Sequence, residues 1–488
     1  MEPLRYTTHR LTHFWGLAAA MTVSEASARD VIQELWALCD ALRDDGVTAQ
    51  DYLTELTYLL FLKMLSEQGH ENVLPESARW DALVNSQPAN ALAHYSETLA
   101  TLAIHTDKNV ATIFANARTS VRNSATLMRI IGAIQSLSWY ASDVERIGDI
   151  YEGLLEKIAT DRKSGAGQYF TPRALVDCLV SVTRPVAGEI IQDPAAGAGG
   201  FLIAAKRAVD ARSGPKGGTA RFIGSEIVPD TFRLLLMNFL LHDMKTEDLV
   251  SADTLSAAGT RLPTSDLVLS NPPFGVSKGG RKPDREDLTL TGDSRNKQLA
   301  FIEHIGRALR PGGRAAVIVP DNVLFAGGVA RQVRTWLLDE FVLHTILRLP
   351  SGIFYAQGIR TSVLFFNRIA GASTKDTWFY DLRAGLPAFG RSRPLRFDDF
   401  ADFILQFGEK SDGSGKRIDA GETESRFRKV SREELAKRND TLDVIWLVEP
   451  DASEEELEEP RDILDAVREH MQRALAAVET LAARVDAV

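Results

Sequence analysis

Cysteine is scarce in this chain of 488 residues: it occurs only as Cys39 and Cys178, far apart and in no CxxC pair. That excludes a zinc ribbon or a disulfide framework, and a reducing cytoplasm is the expected setting. Long apolar runs are missing too. The densest, Tyr58 to Leu65, is short and carries Lys63, whereas a membrane-spanning helix needs about 18 apolar residues or more. The first twenty residues hold Arg5, Arg10 and only a brief Leu17–Ala20 apolar stretch, too little for a signal-peptide core. We read Met21 as the expected true start and residues 1–20 as a loose extension. Positive charge is also in deficit: 56 Lys and Arg against 66 Asp and Glu leave a formal net charge of −10. A chain that gripped DNA alone through its phosphates would usually be basic. Tight independent DNA binding is therefore disfavoured, but action on DNA beside a partner that supplies the positive surface is not. No internal repeat and no Walker A pattern occurs, so no ATP motor of that type is expected.

Residues from about 22 to 145 read as helical, with Val31, Leu35, Leu38, Cys39 and Leu42 at helical spacing. The stretch Tyr52 to Leu65 is apolar on nearly every side, which predicts a buried helix. From about residue 189 the rhythm changes. Short apolar runs at Glu189–Gln192, Arg221–Glu226, Asp266–Ser270, Arg314–Val319, Leu343–Leu349 and Ser362–Asn367 read as strands, with helices at Phe201–Ala211 and Thr231–Asp243 between them. This alternation predicts a doubly wound α/β sheet, whose ligands sit beyond the carboxyl ends of the strands. Lys410 to Thr423, rich in Gly, Ser and charge, reads as a linker. After an acidic patch at Glu454–Glu459, Leu464, Val467, Met471, Ala474, Val478, Leu481, Val485 and Val488 form a heptad seam. It is either a coiled-coil arm for a partner helix or a helix packed on its own domain.

Four local patterns carry chemistry. Asp193-Pro194-Ala195-Ala196-Gly197-Ala198-Gly199-Gly200 follows a strand and opens a helix. Glycines let the backbone pass close to a ligand, and a helix N-terminus offers free N–H groups. A dinucleotide loop would want glycine where Leu202 stands, which argues against a nicotinamide oxidoreductase. Glu226, ending the next strand, can accept from two ribose hydroxyls, and Asp253 stands about where a third strand would end, able to accept from an adenine amine. Asn271-Pro272-Pro273-Phe274 directly follows the run Asp266–Ser270. Two prolines fix that turn. The Asn271 amide oxygen and the Pro272 carbonyl can both accept from one –NH₂ group, polarising it and aiming its lone pair at an electrophilic methyl. Phe274 offers a face for a flipped base. Upstream, Gln168-Tyr169-Phe170-Thr171-Pro172-Arg173 marks a bend into a helix.

Together these motifs resemble the N6-adenine DNA methyltransferases, and most closely the modification subunits of type I restriction-modification systems. Arg310-Pro311-Gly312-Gly313-Arg314 and Leu349-Pro350-Ser351-Gly352-Ile353-Phe354 add to the likeness, which covers roughly residues 25 to 450. The resemblance implies a class I S-adenosylmethionine-dependent methyltransferase sheet of Rossmann-like, doubly wound kind. It would occupy residues 146–400, between an all-α N-terminal domain (21–145) and a linker and peripheral segment (401–450), with a C-terminal helical arm at 451–488. It implies S-adenosyl-L-methionine as cofactor, held by Gln168, Tyr169, Phe170, Thr171, Pro172, Arg173, Asp193, Ala195, Ala196, Gly197, Gly199, Gly200, Glu226 and Asp253. Asn271, Pro272, Pro273 and Phe274 would receive the target adenine. Implied partners are double-stranded DNA with a flipped adenine, a separate specificity subunit, a second copy of the chain and, where one joins, a restriction motor subunit. No large recognition domain follows Asn271, as fits borrowed recognition. The loop Val276–Gln298, with Lys278, Arg281, Lys282, Arg285, Arg295 and Lys297, reads as a flap that orders when DNA arrives, or as an ordinary solvated loop. The Asn-Pro-Pro-aromatic corner alone also suits N4 of cytosine or a protein glutamine. An inactive scaffold is the non-enzymatic alternative.

Overall fold

The computed structural model describes residues 49–136, 171–214, 217–275, 282–354, 360–384, 389, 393–417, 425–444 and 446–447. The expectations for residues 1–20, for Gln168, Tyr169 and Phe170, and for the heptad helix at 451–488 lie outside these residues.

The N-terminal helices are α1 (Ala49–Glu67), α2 (Trp80–Val84), α3 (Ala91–Ala103), α4 (Lys108–Ile113) and α5 (Ser124–Ser136). From Glu55 to Leu65 every side chain of α1 is buried, as the apolar stretch predicted. The one buried cation there, Lys63, pairs with Glu67 and donates to Gln135 Oε1 at 3.0 Å, which keeps its charge partnered inside the bundle.

The sheet then builds from β1 (Ile190–Asp193), β2 (Arg221–Glu226), β3 (Leu249–Ser251), β4 (Ser265–Ser270), β5 (Leu309–Pro320), β6 (Val342–Arg348), β7 (Thr361–Asn367), β8 (Asp376–Asp381) and β9 (Phe427–Ser431). Its helices are α6 (Arg173–Thr183), α7 (Gly200–Ser213), α8 (Pro229–Leu241), α9 (Lys297–Ala308), α10 (Asn322–Phe325), α11 (Val329–Glu340), α12 (Ala401–Phe407) and α13 (Arg432–Lys437). Strand order is β3-β2-β1-β4-β5-β7-β6-β8-β9. Strands β1 to β5 pair in parallel, and β7 enters antiparallel between β5 and β6. One apolar core, reaching from α1 through α6, α7 and α8, covers one face; a second, built from α9, α11, β5, β6 and β7, covers the other. The sheet is thus doubly wound, as the βα rhythm predicted. Order reverses between β1 and β4, the switch point where such folds bind ligands.

The helical unit is docked on α8: Gln68 Nε2 donates to Leu241 O at 3.0 Å, Arg233 Nη2 to Ala115 O at 3.0 Å, and the Arg233 guanidinium lies 5.4 Å from the Tyr58 ring centre. Three strands went unread in the sequence. Strand β3 has three residues with only Leu249 buried, β8 mixes acid ends with aromatics, and β9 lies beyond residue 400. The described part of the stretch read as a linker is seated on the sheet. Asn367 Nδ2 donates to Asp412 O at 2.6 Å, and Arg417 Nη1 to Thr345 Oγ1 at 2.7 Å. No helix among the described residues is long and apolar enough to cross a membrane.

Candidate active site at the sheet switch point

The carboxyl ends of β1, β2 and β4 bring Asp193, Glu226 and Asn271 together. The glycine turn after β1 is tied down from below. Asp193 Oδ1 accepts from Ala195 N at 3.0 Å and from Ser270 Oγ at 2.7 Å, which joins the ends of β1 and β4. Ala196 N donates to Ser225 O at 2.9 Å. Glu226 accepts from Gly197 N at 3.1 Å through one carboxylate oxygen and from Val228 N at 2.7 Å through the other. The amides of Ala195, Ala196 and Gly197 are therefore used within the protein, and the turn's backbone is held by carboxylates that keep further lone pairs free. Gly199 is required twice over: its φ is +92°, and a Cβ there would stand 2.7 Å from Leu235 Cδ1.

Both carboxylates are buried, Asp193 at 2 % and Glu226 at 6 % exposure, and among the described residues neither is in an ion pair. Burial pushes the Asp193 carboxyl up to about 7, against the opposing pull of the Ser270 and Ala195 hydrogen bonds and with Glu226 adding to the rise. Burial likewise raises Glu226. Two desolvated acids with no cation beside them among the described residues could serve a ligand that brings positive charge and hydroxyl groups. At the end of β3, Asp253 is half-buried and caps its own turn, accepting from Leu255 N at 2.9 Å. Thr254 Oγ1 donates to Pro194 O at 2.6 Å, so the β3 corner and the glycine turn touch.

At the end of β4, Asn271 Nδ2 donates to Thr171 Oγ1 at 3.0 Å. That places the Thr171-Pro172-Arg173 entry to α6 against the Asn-Pro-Pro-Phe corner. The Asn271 Oδ1 atom is buried and, among the described residues, has no hydrogen-bond partner. A buried orphan acceptor costs about 1–3 kcal/mol, a cost that an arriving –NH₂ group would relieve. Pro272 is buried, Pro273 and Phe274 half-buried. Phe274 meets Phe354 edge-on, with ring centres 6.1 Å apart and planes at 78°.

Over its described residues the loop read as a flap or a solvated loop is partly built in: Arg285, Leu288 and Thr291 are buried, whereas Lys282 and Arg295 are exposed. Arg285, 9 % exposed, donates through Nη1 to Thr254 O at 3.0 Å and to His304 Nδ1 at 2.8 Å, and holds Asp287 with its other nitrogens. Buried Glu303 accepts from Leu290 N, Thr291 N and Thr291 Oγ1. With its guanidinium engaged by Thr254 O, His304 and Asp287, Arg285 is not offered to phosphate. Sequence reasoning gave no role to Ser270 or Thr254 and took Arg285 for one of the loop's exposed or DNA-facing charges. Ser270 was within reach as the last residue of the strand, whereas Thr254 and Arg285 act partly through backbone carbonyls that no motif displays.

The chain matches the N-6 DNA Methylase family over residues 142–456 and the HsdM N-terminal domain over residues 31–134. It is 40 % identical to the type I restriction enzyme EcoKI methylase subunit of Escherichia coli (strain K12), covering 93 % of this chain and 94 % of that one. It is also 40 % identical to the StySPI methylase subunit of Salmonella potsdam, covering 90 % and 91 %. The crystal structure of the EcoKI M protein matches with a TM-score of 0.53 at 37 % identity, over 86 % of this chain and 90 % of that one. A type I methyltransferase subunit from Streptococcus thermophilus, at 21 % identity, shares the fold with a TM-score of 0.71 over 86 % of this chain and 100 % of that one.

Proposed function

Because the chain belongs to the methylase subunits of type I restriction enzymes, a family of N6-adenine DNA methylases, we propose that S-adenosyl-L-methionine is its methyl donor and that Asn271 receives the target amine. The donor would lie over the glycine turn, held by Asp193, Gly197, Gly199, Glu226 and Asp253. The two buried, cation-free carboxylates support that placement. When bound, it supplies a methyl group activated by a sulfonium.

The chain's own residues would do the rest by positioning. The Asn271 amide oxygen and the Pro272 carbonyl accept from the exocyclic amine, which draws its lone pair out of conjugation with the ring. Phe274, braced by Phe354, offers its face to the extruded base. Thr171 holds the Asn271 amide by its Nδ2, leaving Oδ1 turned to the substrate. The observation that carries this reading is the buried, unpartnered Oδ1 of Asn271. No strong general base is required, because the amine is neutral and the donor cationic.

Sequence choice would come from a separate specificity subunit, with a second copy of this chain in the complex and a restriction motor where one joins. The net charge of −10 supports a partner that supplies much of the phosphate contact. Titrating the chain with S-adenosyl-L-methionine, then analysing nucleosides from duplex DNA treated with chain and specificity subunit together, tests the proposal. Binding without the partner and N6-methyladenine only with it are expected. Absence of binding, or methylated adenine from the chain alone at equal rate, would overturn it.

A further inference from the structure

The described part of the loop after the Asn-Pro-Pro-Phe corner is fastened to the glycine-turn side of the site by two independent sets of contacts. One is polar. Pro194 O accepts from Thr254 Oγ1, Thr254 O accepts from Arg285 Nη1, and Leu255 O accepts from Asp284 N at 3.0 Å. The other is apolar: Leu255, Leu288, Ala300 and Phe301 form a small core of their own, separate from both main cores, with Ala195 of the glycine turn packed against it. The far end of the same loop reaches the target corner, where Lys297 N at the start of α9 donates to Gly275 O at 3.4 Å.

We propose that Arg285 is a positioning residue that couples the β3 corner and glycine turn to the target-base corner, so that occupation of the cofactor side stiffens the loop bearing Phe274. The inference rests on the proposed cofactor reading of Asp193, Glu226 and Asp253. Its physical basis is the shape of the guanidinium. Nη1 alone serves two acceptors on different elements, Thr254 O and His304 Nδ1, while Nε and Nη2 engage Asp287. A lysine ammonium could not hold this fork. His304 is fully buried, and burial with Arg285 beside it holds its pKa down at about 3. The ring is thus neutral, and Nδ1 can serve as acceptor. Thr254 has both its hydroxyl and its carbonyl engaged, one toward the glycine turn and one toward Arg285, so movement of either neighbour is felt by the other.

Amide hydrogen exchange on the full chain tests this, with S-adenosylhomocysteine as the probe. In the wild type, saturating probe should slow exchange about tenfold or more over residues 282–296 as well as over 193–199. Without probe, Arg285→Met should speed exchange at 253–256 and 284–291 together, by about tenfold, the loss expected for hydrogen bonds to a charge. With probe, this variant should keep protection at 193–199 but lose it at 282–296, with Arg285→Lys intermediate. Unchanged probe-dependent protection of 282–296 in Arg285→Met, or loosening of 284–291 alone, would overturn the coupling. If Arg285→Met does not fold, Leu288→Ala must loosen the same two segments, and failure to do so is equally fatal. Should the wild type not bind the probe, the cofactor assignment falls, while the probe-free comparison still decides whether Arg285 ties the two corners.

Discussion

Replacing Asp193 by asparagine should make the unliganded chain more stable at alkaline pH and leave it little changed at acidic pH. In the native chain burial raises this carboxyl from 3.8 to about 7. The unfolded chain loses the proton near pH 3.8, whereas the folded chain keeps it until about pH 7. Between those values the folded state binds the extra proton, so native stability declines as pH rises, by about 1.4 kcal/mol per pH unit from this group. Above pH 7 the loss is complete. From pH 5 to pH 8 it amounts to roughly 3 kcal/mol. Asparagine is isosteric, and its Oδ1 can still accept from Ala195 N and Ser270 Oγ, but it has no charge to bury. Thermal unfolding midpoints of wild type and Asp193→Asn at pH 5 and pH 8 give a difference of differences. In it, the fixed effect of the amide and the groups that do not interact with Asp193 cancel, while Glu226, whose charge adds to the rise of Asp193, acts in the same direction. The asparagine variant should gain several degrees relative to wild type between the two pH values. Parallel pH dependence in the two proteins would refute the claim that Asp193 is a desolvated acid without a cation.

Gly199→Ala should destabilise by about 1–3 kcal/mol, since it combines a φ of +92° with a Cβ 2.7 Å from Leu235 Cδ1; denaturant midpoints check this, and an unchanged midpoint would contradict it. Arg348, 2 % exposed and bonded to buried Asp381 at 2.9 Å, should be costly to lose. Arg348→Met removes the ion-pair partner of that carboxylate, leaving it the backbone N–H bonds of Arg383 and Ala384, and should cost about 3 kcal/mol, more than the double variant Arg348→Met, Asp381→Asn, as a calorimetric comparison will show. Burial holds His304 and His344 at about 3, below the 6.5 of an unfolded imidazole, so each contributes stability at neutral pH that is lost as pH falls below 6.5. His304→Gln should flatten the acid limb of the stability profile, and a limb of unaltered slope would count against it.

Much of the molecule was legible because strands and motifs coincide. Six strands were short apolar runs bounded by turn residues; Asp193 and Glu226 end two of them and Asn271 directly follows a third, so reading the strand placed the side chain. Strand β3 was illegible for a physical reason: three residues at the sheet's edge need only one buried side chain, Leu249. Strand β9 shows Phe427 and Val430 inward with basic residues between, a pattern as compatible with a surface turn as with an edge strand. Arg285 was misread because its burial depends on acceptors 19 and 31 residues away, on α9 and after β3. A charged residue in an aperiodic loop looks solvated until the elements that surround it are in place. The alternatives of N4-cytosine and glutamine methylation were open at the level of the Asn-Pro-Pro-Phe corner, since any –NH₂ fits two carbonyl acceptors; membership of the family decides for adenine.

The orphan amide oxygen at the end of β4 is best tested by single-turnover methylation with Asn271→Ala in the full complex, alongside S-adenosyl-L-methionine affinity. The chemical step should slow by about 10²–10³-fold, the usual effect of removing one preorganised polar contact to the reacting group, with cofactor affinity unchanged within about threefold. Methyl transfer at near wild-type rate in that variant would contradict the account.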